Sequence, residues 1–397
     1  MTSRRVEAVK PSPTLAITAR GLALKRQGKE IVSLSVGEPD FPVFPHVEQA
    51  IVEALRKNAT KYTNAAGTPE LREAISDWME KDTGVKYPVS QIVATAGAKQ
   101  ALYNACQALL DDGDEAVIPN PYWVSYPEMV RLAGGKVVEM MLHAEDDWEP
   151  RPEELEKVMT AKTRVVILAS PSNPTGGVWG EKSLRGLAEV LRKFPKAVIL
   201  ADDIYDKLVY GDAKAVNLLR IAPDLVPRTV AINGCSKAYA MTGLRLGWAC
   251  GPQEIISAMN KVQDASTSNP SSLSQAAAVA ALRGPQEPLE AMRVQFEKRK
   301  KKLVELLRKV PGIQAREPAG AYYVFCDVSA LLGKKLRGEP LKTTVKLSEV
   351  LLEELGVAVV PGSAFGREGY LRLSFATSEE QIERAVALMA KCVATLE

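Results

Sequence analysis

Between residues 91 and 233 the chain alternates short Val- and Ile-rich runs with amphipathic helical segments, and few folds accommodate that alternation. The runs are QIVAT (91–95), EAVIP (115–119), KVVEMML (136–142), RVVILAS (164–170), KAVILAD (196–202) and TVAIN (229–233). They are too short for helices, and runs like VVILA are apolar at consecutive positions, as strands buried on both faces are. Helical segments AKQALYNACQALL, PEELEKVM and EKSLRGLAEVLRKF separate them, and the turn DDGD closes the first. The predicted class is α/β, with a mainly parallel sheet between helices. After Pro45, Val47, Ala50, Ile51, Ala54 and Leu55 predict one apolar helical stripe.

The last third changes character. PLEAMRVQFEKRKKKLVELLRKV and KLSEVLLEEL predict helices, and AGAYYVFCDV, VAVVP and YLRLSFA predict strands. A final helix opens at Ser378 with the spacing of a capping box and aligns Ile382, Val386, Met389, Val393 and Leu396. This predicts a smaller α+β domain. The division expected is 1–45 for an amino-terminal arm and part of the small domain, 46–284 for the large domain, and 285–397 for the small one. The basic run Lys298–Lys302 reads as a solvated helix face, and the segment 333–342 as a surface loop.

A length of 397 residues suits two or three such lobes. A net charge of +3, with 25% charged and 46% hydrophobic residues, excludes disordered, collagen-like and coiled-coil chains. It gives no reason to expect a nucleic-acid or membrane-surface partner. No run approaches the ~18 apolar residues of a membrane helix, and the amino terminus lacks a signal peptide's apolar core. A cytoplasmic location is expected. The five cysteines are scattered without C-x-x-C spacing, so buried free thiols are predicted rather than disulfides or zinc. With only His46 and His143 present, no metal site is expected, and proton chemistry falls to Lys, Tyr or Asp.

Three segments at predicted strand ends carry polar groups where open α/β sheets bind ligands. Gly97-Ala98-Lys99 joins a strand to a helix amino terminus, which suits a phosphate but also an ordinary turn. Asn173-Pro174-Thr175-Gly176 reverses the chain and leaves Asn173 at the sheet's carboxyl edge. Asp202, Asp203 and Tyr205 close the next run, with Asp203 read as a helix cap. Lys237 follows a Gly-Cys-Ser turn in a semi-apolar setting that would lower its pKa, and Arg245 lies between Gly243 and Gly247.

Gly234-Cys235-Ser236-Lys237 through Gly243-Leu244-Arg245-Leu246-Gly247 is similar to the lysine-attachment signature of the fold-type I, pyridoxal-phosphate-dependent aminotransferases. The chain resembles the aspartate aminotransferase branch from VKPS and VGEPDF to YLRLSFATS. The resemblance implies a seven-stranded sheet and a ping-pong transfer between aspartate or glutamate and 2-oxoglutarate or oxaloacetate. It implies that Lys237 holds pyridoxal 5'-phosphate as a Schiff base and then shuttles the proton. Asp202 would keep the pyridine nitrogen protonated, Tyr205 and Asn173 would donate to the phenolic oxygen, and Trp123 would stack on the ring. Gly97, Ala98, Ser236 and Arg245 would take the phosphate, with Tyr62 reaching the partner subunit of a homodimer.

Arg372 would clamp the substrate α-carboxylate by two parallel hydrogen bonds, aided by Asn173 and Gly37. Lys99 would receive the distal carboxylate, and Lys10 and Ser12 would line the pocket as in relatives that accept prephenate. Asp203 stands where Glu is frequent, and Gly234 replaces a serine that some branches use for phosphate. Rival readings are an aminotransferase of prephenate or aromatic amino acids, and a lyase or cyclopropane-forming synthase on the same fold. A cofactor-sensing regulator is disfavoured, because VGEPDF begins by residue 36.

Overall fold

The computed structural model describes residues 2–11 and 13–397. Seven strands form the main sheet: β1 (Ile92–Thr95), β2 (Glu115–Asn120), β3 (Lys136–Met141), β4 (Thr163–Ala169), β5 (Val198–Asp202), β6 (Thr229–Gly234) and β7 (Gly247–Cys250). Their order is β1-β7-β6-β5-β4-β2-β3. All pairs are parallel except those of β7, which runs antiparallel to both β6 and β1. Strands β5 and β6 are buried along their whole length, as their unbroken apolar runs require.

Strand β7 is the one member of the sheet that the Val/Ile pattern did not mark. Its four residues, GWAC, follow β6 through a short connection rather than a crossover helix, as only an antiparallel strand can. Gly247 pairs with both Gly234 and Thr95, which brings the ends of β6 and β1 together. A Cβ on Gly247 would lie 2.3 Å from the Ala98 nitrogen, so the approach needs glycine.

The carboxyl-terminal region holds an antiparallel sheet of β8 (Tyr323–Asp327), β9 (Val360–Pro361) and β10 (Tyr370–Ser374), in the order β9-β10-β8. VAVVP is therefore split. Val357–Ala358 pairs in parallel with Val32–Ser33, tying the amino-terminal segment to this region, and only Val360–Pro361 joins β10. The final helix, Glu379–Ala394, is capped as expected, with Ser378 Oγ accepting from the Gln381 N–H at 3.3 Å.

Three expectations change. Leu55 of the helix Pro45–Arg56 is 54% exposed, while Val47 and Ala54 carry the buried contact. The run Lys298–Lys302 is not a solvated face throughout. Arg299 and Lys300 are buried and paired with Asp40 at 2.7 Å and Glu317 at 2.8 Å, and the other three lysines also meet carboxylates. The 333–342 segment is a small hairpin of Lys335–Leu336 and Glu339–Pro340. All five cysteines are buried and unpaired.

Candidate active site

Strands β4, β5 and β6 lie side by side with level registers, Ala169 opposite Asp202 and Asp202 opposite Ile232. The loop bearing Asn173, the end bearing Asp202 and the turn bearing Lys237 therefore open on one edge, facing a cavity of about 440 Å³. Among the described residues, those assigned a site role line this cavity except Gly97, Tyr62 and Lys10.

Lys237 sits in the short helix Cys235–Ala238, and its Nζ donates to the Gly37 carbonyl at 2.6 Å. Burial lowers the amine's pKa to about 7, helped by the positive charges of Arg372, Arg245 and Lys99 and opposed by Glu38. The semi-apolar sequence context anticipated the direction, but the neighbouring cations come from distant segments. Asp202 is buried, with Oδ2 accepting from the Tyr126 hydroxyl at 2.6 Å. Burial pushes its carboxyl up to about 6, against the Tyr126 hydrogen bond, the Ile204 N–H and Lys237. Near pH 7 the pair thus offers a largely ionised carboxylate and an amine close to half neutral.

Arg372, on β10, is 2% exposed and not a surface residue. It donates to Asn173 Oδ1 at 3.0 Å and to the Ser35 carbonyl at 2.8 Å, while its Nε is buried without a partner. Lys99 Nζ lies 4.9 Å from the centroid of the Trp123 ring, and burial, then Arg245, lowers its pKa. Arg245 donates to the Thr242 carbonyl at 2.9 Å and to the Ala96 carbonyl at 3.2 Å.

Gly97 contributes space rather than a donor. Its φ is +84°, and a Cβ there would meet the Arg245 guanidinium at 2.5 Å. Its N–H already donates to the Thr95 carbonyl at 2.8 Å, so Ala98 presents the first N–H of the helix Ala98–Leu109. Asp203 caps no helix; it accepts from the Asn217 amide at 2.8 Å. Tyr62 is 92% exposed and does not reach the cavity of its own chain. Lys10 lines an adjoining cavity of about 660 Å³ that shares Lys99 and Arg245 with the first. Ser12 lies outside the described residues.

Several residues in or beside the cavity were not legible. Tyr126, three residues beyond Trp123, carried the available signal, a third aromatic in PYWVSYP. Tyr322 donates to the Gly37 carbonyl at 2.9 Å, and Thr242 to Glu38 Oε2 at 2.9 Å. The Tyr205 and Tyr323 hydroxyls meet at 2.9 Å.

The sequence matches the family described as aminotransferase class I and II over residues 29–388. The chain belongs to the class I and II aminotransferases. The aspartate/prephenate aminotransferase of Nitrosomonas europaea is 43% identical over 390 residues, 98% of each chain. The aspartate aminotransferase of Rhizobium meliloti is 43% identical over 97% of this chain and 94% of its own. The crystal structure of the Rhizobium meliloti aspartate aminotransferase has a TM-score of 0.97 at 42% identity, covering 100% of both chains. The aspartate aminotransferase from Thermus thermophilus with maleate has a TM-score of 0.93 at 40% identity, covering 99% of both. This aminotransferase therefore shares its relatives' fold along its whole length. Among its described residues, no helix is long and apolar enough to cross a membrane, and no cluster of side chains suits a metal ion.

Proposed function

We propose that this aminotransferase moves the amino group between L-aspartate or L-glutamate and a 2-oxo acid, 2-oxoglutarate or oxaloacetate, with pyridoxal 5'-phosphate as cofactor. The observation that carries the reading is one cavity faced by a partly neutral amine, a buried carboxylate and a buried guanidinium with an unpartnered Nε.

The donor set fits that cofactor. Ala98 opens a helix of 12 residues, whose positive end, with Ser236 and Arg245, suits a phosphate. Among the described residues, Lys237 is the cation that acts on Asp202, so a protonated ring nitrogen would supply the charge its burial lacks. When bound, the cofactor supplies a carbonyl that condenses with amines and a ring that takes up the electron pair released at the substrate's Cα.

The chain's own groups account for the rest. Lys237 Nζ, neutral above about pH 7, is the nucleophile and the base that moves the Cα proton. Asp202 would hold a proton on the ring nitrogen by charge. Tyr205, whose burial holds its pKa well above the usual value, remains a donor at working pH. Arg372 fixes the α-carboxylate with Asn173, and Lys99 beside Trp123 receives the distal one. That the Thermus thermophilus relative was crystallised with maleate, a dicarboxylate, supports this division of labour.

The exposed phenol of Tyr62 fits a shared site in a homodimer, where it would reach the partner's phosphate. A cytoplasmic location fits the same reading. A second reading, transfer to prephenate, is favoured by the adjoining cavity at Lys10 and by the likeness to the aspartate/prephenate aminotransferase of Nitrosomonas europaea.

The test is incubation with aspartate and 2-oxoglutarate. Glutamate should form and should vanish with Lys237→Ala, whereas its absence with the intact enzyme would favour a lyase. A donor panel that preferred alanine or lysine to aspartate would overturn the role of Lys99.

A further inference from the structure

We propose that Gln275, supported by Gln263, is a positioning residue of the shared site: it holds the loop 59–68 so that Tyr62 stands ready for the other subunit's cofactor. The inference rests on the reading of Tyr62 as a donor to the partner subunit's phosphate.

Tyr62 is 92% exposed, so its place is set by the backbone that carries it rather than by packing of its ring. Two buried glutamines fix that backbone. Gln275, in the helix Ser272–Arg283, accepts from the Thr68 N–H at 2.8 Å and donates to Thr63 Oγ1 at 3.0 Å and the Pro270 carbonyl at 2.8 Å. Gln263, in the helix Gln253–Asp264, donates to the Ala65 carbonyl at 2.7 Å and to the Ala94 carbonyl of β1 at 2.8 Å. Their partners decide the amide orientations, because an N–H meets only the oxygen and a carbonyl only the nitrogen.

These bonds bracket Tyr62. Before it, Ser272 Oγ donates to the Ala59 carbonyl at 2.6 Å, and after it come the anchors at Thr63, Ala65 and Thr68. Between the anchors Asn64 closes its own turn, with Oδ1 accepting from the Ala66 N–H and its carbonyl from the Gly67 N–H, both at 2.9 Å. The loop thus gives Tyr62 a fixed root and leaves its side chain free to meet another molecule. The two helices bury mainly apolar or small residues, Ile256 and Met259 on one and Ala277, Ala278 and Ala281 on the other. A buried amide among them carries a desolvation cost that its hydrogen bonds to the loop offset. Gln275 touches neither substrate nor cofactor in this reading and acts through Tyr62.

A role through Tyr62 operates across the dimer, whereas a packing role operates within one subunit. Mixed dimers with one Lys237→Ala subunit keep a single lysine able to hold pyridoxal phosphate covalently. Borohydride fixes the cofactor on that lysine, and mass spectrometry reads its occupancy against added pyridoxal phosphate. Gln275→Met keeps the length of the side chain and removes its three hydrogen bonds. Placed on the Lys237→Ala subunit, it should raise the half-saturating concentration about three- to tenfold. Placed on the subunit that retains Lys237, it should leave that concentration within about 1.5-fold. Thr63→Val, which deletes one acceptor at a half-buried position, should follow the same pattern at about two- to threefold and decides the matter if Gln275→Met does not assemble.

No rise from either placement, an equal rise from both, or a rise confined to the subunit with Lys237 would overturn the inference. Tyr62→Phe in the same two placements separates it from the reading beneath it. If Tyr62→Phe acts across the dimer and Gln275→Met does not, the inference alone falls. If Tyr62→Phe is silent in both placements, the shared site falls with it.

Discussion

At the residue scale, the proposed chemistry turns on two groups whose pKa values burial moves toward each other. Lys237 falls to about 7 and Asp202 rises to about 6. An amine with a lowered pKa is neutral, and nucleophilic, at pH values above it. Competitive acetylation of the cofactor-free protein, read by mass spectrometry, should therefore show Lys237 half-reactive near pH 7, with a plateau above. An exposed lysine should still be climbing at pH ~10. In its proposed role Asp202 needs its charge. A carboxylate ~4 Å from a pyridinium, at an effective dielectric of ~20, is worth ~4 kcal/mol, against ~1 kcal/mol for a neutral hydrogen bond. Asp202→Asn should lower kcat/KM by roughly 10²- to 10³-fold in steady-state assays, with the fold intact.

Among elements, the helix Ala98–Leu109 depends on glycines at its entrance rather than on its own composition. Gly97 at φ +84° and Gly247 against the Ala98 nitrogen let the helix start beside Arg245. Gly97→Ala adds left-handed strain and a clash with the guanidinium, so cofactor affinity should fall at least about tenfold in equilibrium titration, along with ~1–3 kcal/mol of stability. The cap of the last helix gives the contrasting case. Ser378→Ala removes the acceptor for the Gln381 N–H and should cost about 1 kcal/mol in urea unfolding while kcat is unchanged.

Over the whole molecule, the amino-terminal segment joins the two sheets. Val32, on the strand paired with Val357–Ala358, shares one apolar cluster with Trp248 of β7 and Val324 of β8. Asp40 meets the buried Arg299 of the helix Glu287–Leu307 at 2.7 Å. Asp40→Ala would leave that guanidinium unpaired. Its partial packing against Phe41 and Phe296 offsets some of the loss, so a cost of roughly 2–4 kcal/mol is expected by chemical denaturation. We propose 46–284 as the large domain and 285–397, with part of the arm 1–45, as the small one. The two separate sheets support that division, and the shared apolar cluster limits it.

What the sequence determined by itself is what repeats locally or is spelled by motif. Short continuous Val/Ile runs mark buried strands, so six strands of the main sheet were legible, and the GCSK…GLRLG turn marked the lysine proposed as nucleophile and its neighbours. What only the tertiary structure decided is what depends on segments far apart in the chain. Strand β7 is defined by its partners rather than by its residues, and VAVVP divides because its halves meet different strands. The basic helix run is half buried because Asp40 and Glu317 wait on other elements. Tyr126 and Tyr323 reach Asp202 and Tyr205 through packing that no spacing records. Burial is a property of the assembled chain, and burial sets the pKa values of Lys237 and Asp202.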